Sequence, residues 1–513
     1  MKSKTCDTAM PKRFFLYAII VTMAALLALE GAARLVEAYA LSARTASTEN
    51  PGWQTEFFGS LFDWHESDPD LLWRFKANLS NPLIMTNSEH ILGEEISRAK
   101  APGSYRVLII GDSSPVGLGL ASRRQTFAEI LRFLLDRYHA GRKNVEVLNA
   151  AVSGYSSEQV SRFLAIKGWV YDPDVVVVYC GNNDASISGP ISDRQLLEAQ
   201  RLKTMRSVLS RMALYRVLRT ILASRGGPAY QSKDSLTVRV SPERFETNLR
   251  AIIGQCRQHD CPVIFLKPPV PYLWPAGLQF KPFLHVTGKD GRVLLPQAVA
   301  DFLGRNVQYC LDTALIHKLY AQSDVFTRAV YSSAYTGIDD PGKAMVEYQA
   351  LAARDSTDPV VLNNLGVAYW GSGRHQAADS AFRAARRAFA TRYGGVRTPL
   401  ASAAASPFFF NTGINLLAAD SARSGRWYDT TSMAFIYLDS ALQSDYFSLR
   451  IKRAYWGKID ALKGAPGVAV IDLPGLFQRN GGEGLFIDHC HPTAQGHILI
   501  ARQIYDTILA RDW

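Results

Sequence analysis

The sequence predicts an α/β fold in which a doubly wound parallel β-sheet is covered by helices. Five short runs rich in valine and isoleucine have the composition of strands buried on both faces, which form continuous apolar segments. These runs are residues 106–110, 145–149, 174–179, 262–266 and 468–472. Helical patterns lie between them, and this alternation predicts a sheet whose functional site lies beyond the carboxyl ends of its strands.

Three of the predicted helices begin with a recognisable start signal. Thr126 opens a T-x-x-E capping box, and Ser156 with Gln159 repeats the same spacing one helix later. Ser241 followed by Pro242 predicts an N-cap with proline at the first helical position. These signals predict helices that start directly after residues 126, 156 and 241.

An all-α insertion is predicted between the fourth and fifth strands, because about 200 residues separate them. This is far more than a crossover connection needs. The segment 358–387 has the small and aromatic residues of a tetratricopeptide helical hairpin at the expected offsets, and a degenerate copy precedes it by 34 residues. The matching positions are Leu365, Gly366, Tyr369, Ala378, Phe382 and Ala385. We therefore predict a tetratricopeptide-like (TPR-like) module over 325–460.

The N-terminus has the pattern of a membrane anchor. Four basic residues among the first 13 precede sixteen residues without a charge. The pattern predicts a cytoplasmic tail over 1–13, a transmembrane helix over 14–33 and a juxtamembrane segment over 34–100. A cleaved signal peptide is the alternative, with Ala-Tyr-Ala at 38–40 as a cleavage site. Both interpretations place most of the chain outside the cytosol.

Composition and cysteine usage exclude several functions. The 513 residues are 47% hydrophobic and 20% charged, which is typical of globular proteins, and the net charge of +11 is spread along the chain. Without a long basic block, nucleic-acid binding is not expected. The six cysteines lack paired C-x-x-C spacing, so we expect no metal site. Cys256 and Cys261 are the nearest disulfide candidates, and independent buried thiols are the favoured alternative.

Four blocks that each follow a predicted strand carry the chemistry. Ser113 follows the first strand, where a hydroxyl on a strand-to-helix turn can act as a nucleophile. Gly154 and Asn183 follow the second and third strands and would donate a backbone N–H and a side-chain amide to an oxyanion. Asp488 and His491 follow the last strand, three residues apart, so that on one helical turn the carboxylate can orient the imidazole. All five residues are therefore expected at one edge of the sheet.

Other polar residues near these blocks have supporting or structural interpretations. Asp112 is expected to accept hydrogen bonds from turn amides and not to be the acid of the triad. Asp184 either orders the loop that carries Asn183 or lies at the surface. His497 is expected to be structural. Cys180 and Cys490 adjoin functional residues, and small buried fillers are their favoured interpretation.

This constellation resembles the SGNH (GDSL) hydrolase family over residues 101–275 and 461–513. The resemblance implies a three-layer α/β/α flavodoxin-like fold and a serine esterase or acyl-transfer activity that needs no metal and no cofactor. Gly-Asp-Ser-Ser here replaces the Gly-Asp-Ser-Leu of the family name, at a position that is not catalytic. Residues 276–324 are expected to be a connecting segment, for which a lid is one interpretation. The N-terminal pattern resembles membrane-tethered bacterial members, which implies a single-pass inner-membrane protein with its catalytic domain on the periplasmic or extracellular side.

Three functions are consistent with the sequence. The first is an esterase that removes acyl groups, with acetyl favoured, from an extracytoplasmic carbohydrate or glycolipid through an acyl-serine. The second is an O-acyltransferase for an exported polysaccharide that uses the same site. The third is a scaffold of a polymer-export complex, in which the TPR-like module binds a protein partner and the hydrolase fold is vestigial. The complete set of site residues argues against the third.

Overall fold

The computed structural model describes residues 17, 20–25, 28–34, 64–81, 84–189, 192–201, 214, 237–273, 341–393, 399–419, 430–445 and 449–513. The chain divides into two compact units, Met1–Leu61 with Glu198–Gln231 and Phe62–Leu197 with Ser232–Trp513. The predicted connecting segment 276–324, Cys6 and Cys310 lie outside the described residues.

The first unit is described only in short helical pieces. Residues 20–25 and 28–34 are helical, and the Glu30 carboxylate accepts a hydrogen bond from the backbone N–H of Leu214 at 2.9 Å. Across the described part of the chain, no helix combines the length and apolar character required to cross a bilayer. The predicted anchor at 14–33 is only partly described, and it stays a prediction.

The second unit is built on a five-stranded parallel sheet. Its strands are β3 (Ser104–Gly111), β4 (Asn144–Asn149), β5 (Val175–Tyr179), β8 (Val263–Lys267) and β9 (Val468–Asp472), and their order in the sheet is β4-β3-β5-β8-β9. Each coincides with one of the five predicted runs to within two residues, so the predicted parallel sheet is confirmed. Two antiparallel pairs accompany it: β1 (His65–Asp68) with β2 (Leu72–Phe75), and β6 (Ile187–Gly189) with β7 (Thr237–Val238).

Helices cover both faces of this sheet, which gives three layers. These helices are α1 (Phe127–His139), α2 (Ser157–Ile166), α4 (Pro242–Gln258), α10 (Arg453–Asp460), α11 (Leu473–Arg479) and α12 (Ala494–Ala510). A further helix, α3 (Asp193–Arg201), lies between β6 and β7 in the sequence. Leu108 of β3 packs into a core with α2, α4 and α10, whereas its neighbour Val107 packs into a second core with α1, α11 and α12. Successive strand residues point to opposite faces, so each strand contributes to both cores.

The predicted helix starts are confirmed at their caps. The Thr126 hydroxyl accepts the backbone N–H of Glu129, and the Ser241 hydroxyl accepts that of Arg244. The Gln159 side chain accepts the backbone N–H of Ser156 at 2.9 Å. Each contact satisfies an amide that the first turn of a helix leaves without a partner.

The segment that precedes β3 packs as part of the second unit. Leu71, Phe75 and Ile91 are buried in the same core as Leu108. Arg106, which is fully buried, ties this segment to the sheet by donating to the carbonyls of residues 97 and 98 and to Glu146. The part of the predicted juxtamembrane segment that is described, residues 64–81 and 84–100, therefore contributes to the core beside the sheet.

The long insertion between β8 and β9 is helical where it is described. Its helices are α5 (Pro341–Arg354), α6 (Pro359–Gly371), α7 (His375–Tyr393), α8 (Pro399–Ala419) and α9 (Met433–Ser444). A β-carbon on Gly366 would lie 2.6 Å from the Phe382 ring, which explains why a glycine is needed where α6 meets α7. The helical hairpin is as expected, and its assignment to the tetratricopeptide class stays a prediction.

All four described cysteines are free and buried. The predicted candidate pair, Cys256 and Cys261, does not form a disulfide, and the two are joined instead by a backbone hydrogen bond of 3.0 Å. Cys180 and Cys490 are likewise separate buried thiols, as the favoured interpretation expects.

Candidate active site

Ser113 begins a short helical turn, Ser113–Val116, directly after β3. Asp112 caps this turn by accepting the backbone N–H of Ser114 at 2.9 Å. Gly111 ends the strand where a β-carbon would lie 2.3 Å from the Tyr179 carbonyl oxygen, so only glycine fits between β3 and β5. The chain therefore turns sharply at this point and presents the Ser113 hydroxyl beyond the sheet.

Ser113, His491 and Asp488 form a continuous hydrogen-bonded chain. His491 Nε2 lies 2.7 Å from Ser113 Oγ, and His491 Nδ1 lies 2.6 Å from Asp488 Oδ2. Both contacts have hydrogen-bond length, and the imidazole lies between a hydroxyl and a carboxylate. This is the geometry in which an imidazole can remove a proton from serine while a carboxylate holds its tautomer.

The loop that carries Asp488 and His491 is closed by its own backbone. Asp488 Oδ1 accepts the backbone N–H groups of Cys490 and His491, each at 2.9 Å, and the Ile487 N–H donates to the His491 carbonyl at 2.8 Å. The sequence analysis expected these residues on one helical turn, which is wrong, since α12 begins only at Ala494. The carboxylate faces the imidazole because the loop folds back, and not because of helical spacing.

The charges of this pair are mutually stabilising. Burial alone would raise the pKa of Asp488, but the hydrogen bond and charge of His491 hold it well below its usual range. Burial alone would lower the pKa of His491, but the neighbouring Cys490 and the Asp488 carboxylate raise it above its usual range. Asp488 is therefore ionised at neutral pH, and it stabilises an imidazolium formed when His491 accepts a proton.

Gly154 and Asn183 lie on the loops that follow β4 and β5. Gly154 has a φ of +81°, which favours glycine and leaves its N–H uncovered by a β-carbon. Asn183 is buried, and its Nδ2 donates to the Tyr155 carbonyl at 3.1 Å. A primary amide has two N–H groups, so one remains for a ligand. The hydrogen bond to Tyr155 links the two predicted oxyanion donors to each other.

Trp73 is a site residue that sequence reasoning missed. Its indole N–H donates to the Ser153 carbonyl at 3.0 Å, and its backbone carbonyl accepts the Tyr155 hydroxyl at 2.6 Å. The ring lies 3.3 Å from where a β-carbon on Gly154 would be. Trp73 thus holds the Gly154 loop from both sides, although no local motif marks a tryptophan 80 positions upstream.

Replacing Trp73 tests this positioning role. We expect Trp73→Ala to lower kcat by about 10- to 100-fold with little change in KM, because small displacements of aligned groups are costly to the chemical step. Trp73→Phe keeps an aromatic ring but loses the indole hydrogen bond, and it should retain most of the activity of the native chain. Steady-state kinetics on an activated ester measure both, and equal losses in the two variants would contradict the role of the ring.

Two buried carboxyl groups, those of Asp112 and Asp184, adjoin residues of the candidate site in the sequence. Asp184 is fully buried and accepts the backbone N–H of Ser157 at 3.0 Å, so the surface alternative for this residue is wrong. Burial raises the pKa of Asp184 to about 7 and that of Asp112 to about 8. Asp112 serves the turn amide of Ser114, as predicted, and it does not contact the imidazole within the hydrogen bonds described.

Asp112→Asn should change how stability depends on pH. The pKa of Asp112 rises from 3.8 to about 8 on folding, so the folded state holds a proton that the unfolded state loses between these values. This group therefore lowers the free energy of unfolding as pH rises from about 4 to about 8. Denaturant unfolding at pH 5 and pH 8 should show Asp112→Asn gaining stability relative to the native chain at the higher pH. An identical difference at both values would contradict a neutral Asp112.

The remaining polar residues near the triad have structural contacts. His497 Nδ1 accepts the backbone N–H of Phe127 at 3.1 Å, which agrees with the structural role expected for it. Donor atoms of Asp488, Cys490 and His491 lie within 4.8 Å of one another, a set that could hold a metal ion. Both nitrogens of His491 are already used by Ser113 and Asp488, so in this arrangement the cluster serves the triad.

One protein-family model matches part of the chain. Residues 109–328 match the model of the GDSL-like Lipase/Acylhydrolase family. The resemblance that the sequence analysis drew from Ser113, Gly154 and Asn183 is therefore confirmed, while Asp488 and His491 lie beyond the matched segment. None of the curated proteins compared matches the chain.

Solved structures with partial similarity include three bacterial proteins. A psychrotrophic esterase, EstA, from Pseudoalteromonas sp. is 17% identical, with 34% of this chain and 64% of that chain covered and a TM-score of 0.20. The lipase/acylhydrolase from Enterococcus faecalis is 21% identical, with 32% of this chain and 57% of that chain covered and a TM-score of 0.18. An Axe2 mutant, an acetyl-xylooligosaccharide esterase from Geobacillus Stearmophilus, is 17% identical, with 33% of this chain and 62% of that chain covered and a TM-score of 0.21. This chain thus spans less than two thirds of each of these proteins.

Proposed function

We propose that this chain, which carries a GDSL-like lipase/acylhydrolase domain, is a serine esterase that acts through an acyl-serine on O-acyl esters of a carbohydrate or glycolipid. The observation that carries the proposal is the position of His491 within hydrogen-bond distance of both Ser113 and Asp488. Acyl transfer to and from serine needs this combination of nucleophile, base and orienting acid.

The reaction would proceed in two steps at Ser113. His491 takes the hydroxyl proton as Ser113 Oγ attacks the ester carbonyl, and Asp488 stabilises the imidazolium that forms. The backbone N–H groups of Ser113 and Gly154 and the amide of Asn183 stabilise the oxyanion. The alcohol leaves with the proton from His491, and water then attacks the acyl-serine with His491 again as base.

The identity of the acceptor distinguishes the esterase from its close alternative. An O-acyltransferase would use the same acyl-serine, but a sugar hydroxyl would replace water in the second step. Acetyl remains our proposal for the acyl group. The basic residues and apolar run at the N-terminus support a location at a bacterial inner membrane, with the domain on the periplasmic or extracellular side. The proposed TPR-like module would supply a surface for a protein partner.

The first experiment measures acetate release by the full-length chain from O-acetylated oligosaccharides and from p-nitrophenyl acetate. An esterase releases acetate from both substrates, with one acetate for each ester bond that is cleaved. A transferase instead moves acetyl groups to an added unacetylated oligosaccharide, which mass spectrometry detects as a new acetylated product. A folded protein with neither activity would contradict the proposed function and would favour the scaffold.

Asn183→Ala should weaken catalysis through the oxyanion. Removal of one such donor typically lowers kcat by about 10²- to 10³-fold, and we expect this range with a nearly constant KM. Asn182→Ala is the matched control, because the Asn182 side chain accepts the backbone N–H of Ile451 and belongs to the support of the loop. Kinetics on p-nitrophenyl acetate compare the two. A larger loss of kcat in Asn182→Ala than in Asn183→Ala would contradict the assignment.

A further inference from the structure

A cavity of about 240 Å³ lies beyond the carboxyl ends of β8 and β9, apart from the triad. Lys267, the last residue of β8, and Asp472, the last residue of β9, both line it. The helical insertion leaves the sheet after β8 and returns before β9, so the cavity lies where the insertion joins the sheet domain. In parallel α/β sheets, this edge is where ligands bind.

Five of the thirteen residues that line the cavity are aromatic, and these five come from separate parts of the chain. Tyr272 follows β8, Phe435 lies on α9, Trp456 on α10 and Phe477 on α11, and Phe486 lies shortly before the triad loop. Tyr272 and Phe435 contact each other with ring centroids 5.1 Å apart. A site with apolar ring faces and a few polar groups is suited to a small ring that has both C–H faces and hydroxyl groups.

The charges at the cavity favour a neutral ligand. Lys267 Nζ lies 2.8 Å from an Asp460 carboxylate oxygen and 3.3 Å from one of Asp472, so its charge is already compensated. The Asp472 side chain is 49% exposed and can accept hydrogen bonds from hydroxyl groups. Lys463 Nζ also lies 2.7 Å from the other Asp460 carboxylate oxygen, so two cations balance two carboxylates and leave no net charge here to attract a charged sugar.

The cavity is at a distance from Ser113 that suits a remote part of a substrate. In the strand order, β8 lies two strands from β3 and β9 lies three, so the separation is roughly 10–14 Å at the usual spacing of strands. Its volume is below the roughly 300–1,000 Å³ of pockets for larger ligands, which fits a single ring. We propose that this cavity binds an uncharged sugar ring of the substrate while another ring presents its ester to Ser113.

This proposal rests on the proposed esterase function, and it gives the insertion a role in the reaction. The Tyr272 N–H donates to Glu483 at 2.8 Å, and the Pro271 carbonyl accepts Arg450 at 2.9 Å. The loop after β8 is thereby fixed between the helical insertion and the segment that leads to Asp488. Binding energy from a ring in the cavity would align the ester, because remote contacts can be used to orient the reacting group.

Filling the mouth of the cavity tests the proposal. Thr430 is exposed and lines the cavity, whereas Thr431 is exposed and does not. Thr430→Trp should raise KM for mono-O-acetylated cellobiose by about tenfold or more, and Thr431→Trp should leave it within about twofold. Both variants should hydrolyse p-nitrophenyl acetate like the native chain, because this substrate is too small to span from Ser113 to the cavity.

A binding measurement keeps this test separate from the test of the function. Saturation-transfer NMR with cellobiose and full-length Ser113→Ala should detect binding, and Thr430→Trp added to that variant should abolish it. If the native chain does not hydrolyse p-nitrophenyl acetate, this result overturns the esterase function but not the binding of the sugar. Unchanged kinetics and binding in Thr430→Trp would overturn the sugar site. A selective loss on p-nitrophenyl dodecanoate would also overturn it, in favour of an acyl-chain site.

Discussion

Ser113→Ala is expected to lower kcat for p-nitrophenyl acetate by about 10⁴- to 10⁶-fold, because the variant cannot form the acyl-serine. The residual rate would come from the oxyanion donors and from substrate binding alone. The fold should be unaffected, since the Ser113 side chain makes its described hydrogen bond to His491 and none to the turn itself. Stopped-flow and steady-state assays of the purified full-length chain measure the loss.

The adjacent serine provides a matched control for this experiment. Ser114 contributes its backbone N–H to the Asp112 cap, which alanine keeps, and its hydroxyl donates to the Cys490 carbonyl only at the long distance of 3.5 Å, a contact that alanine loses. Ser114→Ala should therefore retain activity within a few-fold of the native chain. Comparable activity in Ser113→Ala and the native chain would rule out Ser113 as the nucleophile, whatever the geometry around it.

Asp488→Asn is expected to lower kcat by about 10⁴-fold, as loss of the orienting carboxylate does in other triads. An asparagine can still accept the amides of Cys490 and His491 through Oδ1, so the loop should stay closed. Its NH₂ group would face His491 Nδ1 and favour the tautomer that has its proton on Nε2. That tautomer cannot accept the proton of Ser113, so the chemical step fails while binding remains.

The pH dependence and a second aspartate separate this effect from general damage. Without the carboxylate, the pKa of His491 loses one of the contacts that raise it, so the acidic limb of the residual activity should move to lower pH. Asp112→Asn should retain most of the activity at pH 7, because burial raises the pKa of Asp112 to about 8, which leaves it mostly uncharged as asparagine is, and its described hydrogen bond is to Ser114. Similar losses of kcat in the two variants would contradict the assignment of Asp488 as the acid of the triad.

The sheet, and the placement of the candidate site residues at one edge of it, could be predicted from sequence because their signals are local. Each buried strand is a short run of β-branched residues, and Ser113, Gly154 and Asn183 each follow such a run within a few positions. Parallel strands bring their carboxyl ends together, which places residues far apart in sequence at one edge. His491 could be included for the same reason, although its loop geometry differs from the helical turn that its spacing suggested.

The features that sequence missed depend on tertiary contacts without a local signature. Trp73 supports the Gly154 loop from a short antiparallel hairpin whose strands have four residues each, too short for a clear periodic pattern. Burial of Leu71 and Phe75 against the sheet decides that this segment belongs to the core. The cavity beyond the carboxyl ends of β8 and β9 is lined by residues from five helices and strands and from the loops beside them, and no spacing along the chain encodes their approach.

The most direct measurement is covalent labelling of the full-length native chain with a fluorophosphonate, followed by peptide mass spectrometry. This reagent reacts with a serine hydroxyl that an adjacent base has activated, which is the central claim about Ser113 and His491. We predict one labelled peptide, modified at Ser113, and no label in Ser113→Ala or after heat denaturation. A folded chain that takes up no label, or takes it up at another serine, would contradict the account.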